Sequence, residues 1–198
     1  SISQSTLVAI STSSTGAAIY SDGFSEEPEV VDLAGVVEPN FNPQELRSKS
    51  WIKLSSSILQ QLFLAGVPVS GFNSTVSSTV TSSGGVSSSA SFGVGLGLAV
   101  SKLFGSDLSN EDLAKVCQKA EHGVGSMCGL LDQYAVALGQ PGSLLLLDFL
   151  DNSSRLVEGE LPGAVFVVVF DPRVRRNLAE TGYLARRQAC EQGLEFIN

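Results

Sequence analysis

Val80-Thr81-Ser82-Ser83-Gly84-Gly85-Val86-Ser87-Ser88-Ser89-Ala90 joins a Val/Thr/Ser run of strand character to an apolar segment that begins at Ser91-Phe92. A loop of small residues between a strand and a helix leaves the first N–H groups of the helix uncovered. Those donors, with the positive end of the helix dipole, form a seat for a phosphate. Glycines let the main chain approach the anion, and hydroxyls reach phosphate oxygens or a bound Mg²⁺. The same composition also describes a flexible Ser/Gly linker. The flanking segments have to decide between the two.

Upstream, residues 6–10 and 17–20, separated by the polar stretch 11–16, read as a β-hairpin. Residues 21–28 form an acidic connection, 29–33 a short edge strand and 36–43 a loop with two prolines. Trp51, Ile52, Leu54, Ile58, Leu59, Leu62 and Phe63 recur at helical spacing until Gly66 and Pro68 stop them. Residues 70–80 return to strand character. Downstream, Gly93, Gly95 and Gly97 alternate with Val94, Leu96 and Leu98, a period of two that favours a strand. The run continues through Lys102-Leu103-Phe104 to Gly105, too long for a strand and ended by a good helix stop, so 90–104 is read as a buried helix. Ser109 has N-cap chemistry for a helix carrying Leu113, Val116, Cys117 and Ala120, with Glu121 near its end. A glycine turn over 123–129 leads to a short helix over 130–138 and a turn over 139–142. Residues 143–149 and 164–170 read as strands joined by a polar stretch, and the basic tail from Arg173 as helical. Elements of both kinds interleave without a regular βαβ repeat, which favours an α+β fold.

The composition narrows the function classes. An apolar fraction of 43% and a positive mean hydropathy support a real core. Only 16% of residues are charged, as expected if one face is normally covered by the remainder of a longer chain. A net charge of −8 argues against nonspecific nucleic-acid binding but leaves room for a nucleotide with Mg²⁺. Cys117, Cys128 and Cys190 fit reduced thiols in a cytoplasmic protein better than a disulfide framework. A single histidine argues against structural zinc. No apolar run reaches membrane-spanning length, and the first residues carry no signal-peptide pattern.

A second constellation favours the phosphate seat: Ala120-Glu121-His122-Gly123-Val124-Gly125-Ser126-Met127-Cys128-Gly129-Leu130-Leu131-Asp132-Gln133. With Gly85-Val86-Ser87-Ser88-Ser89-Ala90 it resembles the GHMP small-molecule kinases, galactokinases above all. Those carry a P-x-G-x-G-L-S-S-S-A loop, an A-E-[HN] helix and a C-G-[IL]-M-D-Q turn. A third match begins at Asp171-Pro172-Arg173-Val174-Arg175-Arg176-Asn177-Leu178-Ala179 and continues with Tyr183, Arg186-Arg187 and Cys190-Glu191. Thr81, Ser83, Val86, Gly93 and Leu131 depart from the family pattern, standing where it has Pro, Gly, Leu, Glu and Met.

The resemblance implies an α+β GHMP kinase N-terminal domain, of the kind shared with a ribosomal-protein-like domain, over residues 1–172. Residues 173–198 would begin the connection to a C-terminal domain. It implies transfer of the γ-phosphoryl of ATP to the anomeric hydroxyl of a monosaccharide, galactose first, since such chemistry rests on positioning and charge neutralisation. Ser83, Gly84, Gly85, Val86, Ser87, Ser88 and Ser89 would wrap the ATP phosphates. Ser88 or Ser89 would touch Mg²⁺, and Glu121 would be its carboxylate ligand. Asp132 would accept or orient the hydroxyl proton, while Gly129 and Tyr183 would touch the sugar.

Plainer readings stand beside these. Glu121 also suits a solvated helix end, Asp132 an N-cap, His122 a structural histidine and Tyr183 an ordinary interfacial aromatic. Arg186 and Arg187 suit a helix face paired with acids, and nothing beside Cys128 points to an activated thiolate. The family's opening G-R-x-N-L-I-G-E-H-T-D-Y segment has no counterpart here, so the chain is expected to start just after it and to be inactive alone. Arabinose, N-acetylgalactosamine, a catalytically inactive sugar or nucleotide sensor, and an unrelated Ser/Gly-rich domain are the alternatives.

Overall fold

The computed structural model describes residues 4–82, 85–158 and 182–197, with the backbone alone for Tyr183 and Leu184. Four strands form one sheet: β1 (Thr6–Thr12), β2 (Ala17–Ser21), β3 (Glu29–Val31) and β4 (Phe72–Ser78), in the order β1-β4-β2-β3. β4 runs antiparallel to β1, with Val8 opposite Val76, and parallel to β2, with Ala17 opposite Phe72. The expected hairpin of the first two strands is therefore corrected, because β4 lies between them. The insertion is visible at Gly71, where a Cβ would collide with the Ser13 carbonyl, and Ser13 N donates to Gly71 O at 2.9 Å. The link over 13–16 bends round the start of β4 instead of closing a turn. β3 is the expected edge strand.

Alternation decides which face is covered. Phe72, Ser74 and Val76 of β4 and Ala17, Ile19 and Ser21 of β2 are buried, while their neighbours are more exposed. Helices cover that face. A one-turn helix α1 (Leu33–Val36) and a 3₁₀ turn (Pro43–Glu45) lead into α2 (Ser50–Leu64), which buries Ile52, Leu54, Ile58, Leu59 and Leu62. α2 ends in a Schellman motif: Gly66 N donates to Phe63 O and Val67 N to Leu62 O, at 2.9 and 3.0 Å, and Val67 packs into the core.

The glycine-alternating segment is indeed a helix, α3 (Ser88–Leu103). Two residues turn a helix by about 200°, so its glycines face different layers. Gly95 lies against Val8 and Thr6 of β1, whereas Gly93 and Gly97 face Ile58 of α2 and Cys117 of the next helix. A helix wedged between a sheet and two helices needs small residues on both sides. That packing offsets the roughly 1 kcal/mol which each mid-helix glycine costs. α4 (Asn110–Gly123) crosses α2 and α3, and α5 (Leu131–Leu138) packs on α4 and α3. The core joins Ile19, Phe72 and Val76 of the sheet to Ile58, Leu59, Leu62, Leu96, Val100 and Leu113 of the helices.

β5 (Ser143–Asp148) pairs antiparallel with β6 (Ser153–Glu158) in a separate two-stranded sheet. The polar link expected after residue 149 thus holds a strand that its composition hides, since Ser153, Ser154, Arg155 and Glu158 lack the usual strand signal. The expected strand over 164–170 lies outside the described residues. Of the helical tail expected from Arg173, residues 183–197 form α6 (Tyr183–Ile197), and 173–181 lie outside the described residues. Among the described residues no helix is long and apolar enough to cross a membrane.

Candidate active site

α3 begins without help from its own side chains. Its N-cap, Ser87, sits at φ 61° and ψ 40°, in the left-handed region, and makes no side-chain cap bond. For a non-glycine residue this conformation costs about 1–2 kcal/mol. Ser91 N closes the first intrahelical bond on Ser87 O at 2.9 Å. Among the described residues no acceptor meets the N–H groups of Ser88, Ser89 or Ala90. Gly85 precedes them at φ 72°, with open space where a Cβ would stand.

Facing this start is the end of α4, which also closes in a Schellman motif. Gly125, at φ 90°, lets Ser126 N reach back to Glu121 O at 3.0 Å, while Gly125 N bonds His122 O at 2.9 Å. That reversal also returns the Ser126 hydroxyl to the Glu121 carboxylate, as a long contact of 3.5 Å to Oε2. The following turn is pinned by its carbonyls. Gln118 Nε2 and His122 Nε2 both approach Cys128 O, at 3.3 and 2.8 Å, and Arg187 Nη1 of α6 donates to Met127 O at 3.1 Å. His122 is therefore structural, its Nε2–H donating to the Cys128 carbonyl, since a carbonyl only accepts. Arg187 also pairs with Glu191 at 2.9 Å, as the helix-face reading expected.

Glu121 is the centre of the arrangement. It is 5% exposed, and among the described residues no basic group forms an ion pair with it. Ser89 Oγ donates to its Oε2 at 3.3 Å and Gln133 Nε2 to its Oε1 at 2.8 Å. Burial pushes its carboxyl above the ordinary range, opposed by the Gln133 and Ser89 hydrogen bonds and reinforced by the nearby charge of Asp132. The solvated-helix-end reading of Glu121 is thus corrected. Burial likewise lifts the Cys117 thiol to about 12 and the Cys128 thiol to about 11, with Glu121 adding to both, so neither is a thiolate near neutrality.

The structure therefore joins Ser89 to Glu121 by a hydrogen bond, while Asp132 bears on Glu121 through its charge alone. Asp132 is the second residue of α5, half-buried; the N-cap is Leu130, so the N-cap reading of Asp132 is corrected. Ser88, Ser87 and Val86 are half-buried beside the helix start, and Gly129 is exposed with open space around it. Ser88 makes no hydrogen bond to Glu121, in contrast to Ser89. Ser83 and Gly84 lie outside the described residues, as does the Tyr183 side chain. Gln133 carried no expected role, and its place beside Asp132 in the motif was the available signal.

The chain is similar to several known proteins. The family described as GHMP kinases N terminal domain matches residues 53–140, a span that holds the loop, Glu121 and Asp132. Galactokinase of Chloroflexus aurantiacus is 35% identical over 164 residues, covering 81% of this chain and 42% of that protein. Galactokinase of Streptomyces coelicolor is 37% identical over 166 residues, covering 79% and 43%. The crystal structure of Lactococcus lactis galactokinase complexed with galactose matches with a TM-score of 0.81 at 22% identity, over 98% of this chain and 49% of that one. A Methanococcus jannaschii mevalonate kinase matches at 0.62 and 21%, over 77% and 46%. The chain spans less than half the length of each of these relatives.

Proposed function

The chain belongs to the GHMP kinase family, and from that premise we propose that it carries the ATP-binding part of a sugar kinase. The acceptor is the anomeric hydroxyl of a monosaccharide, galactose being the sugar that its relatives' names carry. One observation carries this reading: an uncapped helix N-terminus, a serine hydroxyl and a buried carboxylate meet at one place.

In this reading the loop of residues 83–89 wraps the triphosphate. The free N–H groups at the start of α3 donate to phosphate oxygens, and the serine hydroxyls add further donors. The donor set around Glu121 also fits Mg²⁺. Among the described residues it offers the carboxylate and hydroxyl oxygens of Glu121, Ser89 and Ser126, it lacks a basic partner, and beside it stands the buried Gln133 Oε1 with no hydrogen-bond partner. Glu121 and Ser89, with Ser88 as the other candidate, would hold the ion, which when bound neutralises charge on the phosphates. Asp132 accepts or orients the proton of the attacking hydroxyl. Gly129 offers its main chain to the sugar, and Tyr183 is the other residue assigned to touch it. The pinned carbonyls of Met127 and Cys128 keep the turn between Glu121 and Asp132 in one shape, which is what in-line transfer requires.

Thermal unfolding of the chain with Mg·ATP is the direct test. A ligand at a hundred times its Kd stabilises by about 2.7 kcal/mol, so the melting temperature should rise by several degrees and fall back with a chelator. An unchanged melting temperature at millimolar Mg·ATP sinks the reading. Asp132→Ala in a chain of galactokinase length should abolish sugar-dependent ADP release and leave ATP binding intact. A sensor would lose little by the same change.

A further inference from the structure

The buried side chain of Gln133 is satisfied at one end only. It is fully buried, Nε2 donates to Glu121 Oε1 at 2.8 Å and to Cys128 Sγ at 3.5 Å, and among the described residues Oε1 has no hydrogen-bond partner. Rotating the amide gives no relief, since it would set Oε1 against the Glu121 carboxylate. Among the described residues Trp51 Nε1, Ser74 Oγ and Ser101 Oγ are also buried without hydrogen-bond partners, but Gln133 is the one whose side chain is hydrogen-bonded to a carboxylate. Unpaired buried acceptors are costly and call for a missing partner, either water or an ion. Here the neighbour on the other side of the amide is the carboxylate proposed to hold the cation, and among the described residues its hydrogen-bond partners Ser89, Ser126 and Gln133 are all neutral.

We propose that Gln133 is a positioning residue for the cation: Nε2 fixes the Glu121 carboxylate, and Oε1 accepts a hydrogen bond from a water that the cation retains. Mg²⁺ keeps several waters when bound to proteins, which supplies the donor the amide lacks. Partners of this kind orient ligands, and losing one typically lowers metal affinity about 10–100-fold. The inference rests on the cation site proposed above.

Mn²⁺ is the probe, with its free-ion electron paramagnetic resonance signal reporting uptake by the chain loaded with the β,γ-imido analogue of ATP. Gln133→Met keeps the length of the side chain and removes both hydrogen-bonding ends. Mn²⁺ affinity of the folded variant should fall about 10–100-fold; the melting temperature without cation falls as well, because Glu121 Oε1 loses its donor, so affinity is the readout that decides. A purely structural glutamine predicts a lower melting temperature with unchanged affinity. Should the variant not fold, the unaltered chain decides. The Gln133 side-chain amide resonances should shift when Mg²⁺ joins the nucleotide analogue, while those of Gln60, bonded to Phe41 O on α2, stay fixed; an unmoved Gln133 signal overturns the inference. No Mn²⁺ uptake by the unaltered chain overturns the cation reading and this inference together. Uptake that Gln133→Met leaves intact overturns this inference alone.

Discussion

At the start of α4, Ser109 Oγ accepts from Asp112 N at 3.1 Å and donates to Asp112 Oδ2 at 2.8 Å, and Glu111 joins Asp112 in the first turn. At the start of α3, Ser87 is left-handed, offers no cap bond, and no acid occupies the first turn. The first helix caps one of its orphan donors and meets its dipole with its own side chains. The second leaves both open although its far end is among the best packed parts of the molecule, with Leu96 and Val100 wholly buried. α3 is therefore anchored by its middle and C-terminal half, and its N-terminus is free to serve a ligand. Stability and site occupy different ends of one helix.

The largest test of this division is Leu96→Ala. Truncating a fully buried leucine should cost about 2–5 kcal/mol, read as a lower urea midpoint, while Mg·ATP affinity of the folded protein stays within about twofold, or 0.4 kcal/mol. A large loss of affinity would mean that the two ends are coupled. Glu121→Gln should do the opposite, abolishing cation-dependent nucleotide binding without weakening the fold. Its pH dependence sharpens the point. The Glu121 carboxyl is raised above its ordinary value of 4.5, chiefly by burial. It therefore contributes stability that is fully present below pH 4.5 and lost as pH rises through its raised value in the folded chain. Without cation, urea midpoints of the unaltered chain should carry a decline in that direction that the Gln variant lacks. An equal decline in both would remove Glu121 as its source.

The smallest effects come from the two caps themselves. Ser109→Ala should cost about 1 kcal/mol and leave nucleotide binding alone. Ser87→Gly should instead stabilise the ligand-free chain by up to about 1 kcal/mol, because glycine occupies the left-handed region without the Cβ penalty. Equal and like-signed changes at the two serines would erase the contrast between the helix ends.

Much of the fold was legible before any coordinates, because its signals are local. The helical spacing from Trp51 to Phe63, the stops at Gly66 and Gly105 and the Ser109 cap each act within a turn or two, and α2, α3 and α4 follow them closely. The alternating glycines could not be read in the same way. Their period of two imitates a strand, and only the layers on either side of α3 explain it. β6 was hidden because a strand of Ser, Arg and Glu is recognised by its partner, and that partner is β5.

By itself the order of residues determined that α2, α3, α4 and α5 are helices, where two of them stop, and which loop and acids carry the kinase pattern. The three-dimensional packing alone decided that β4 enters between β1 and β2, that Ser89 and not Ser88 meets Glu121, and that Gln133 stands behind that carboxylate with an unpaired oxygen. The reason is range. Periodicity and capping are settled by neighbours a few residues apart. Strand order and a buried polar contact depend on groups tens of residues distant, and their energy appears only when water has been excluded between them.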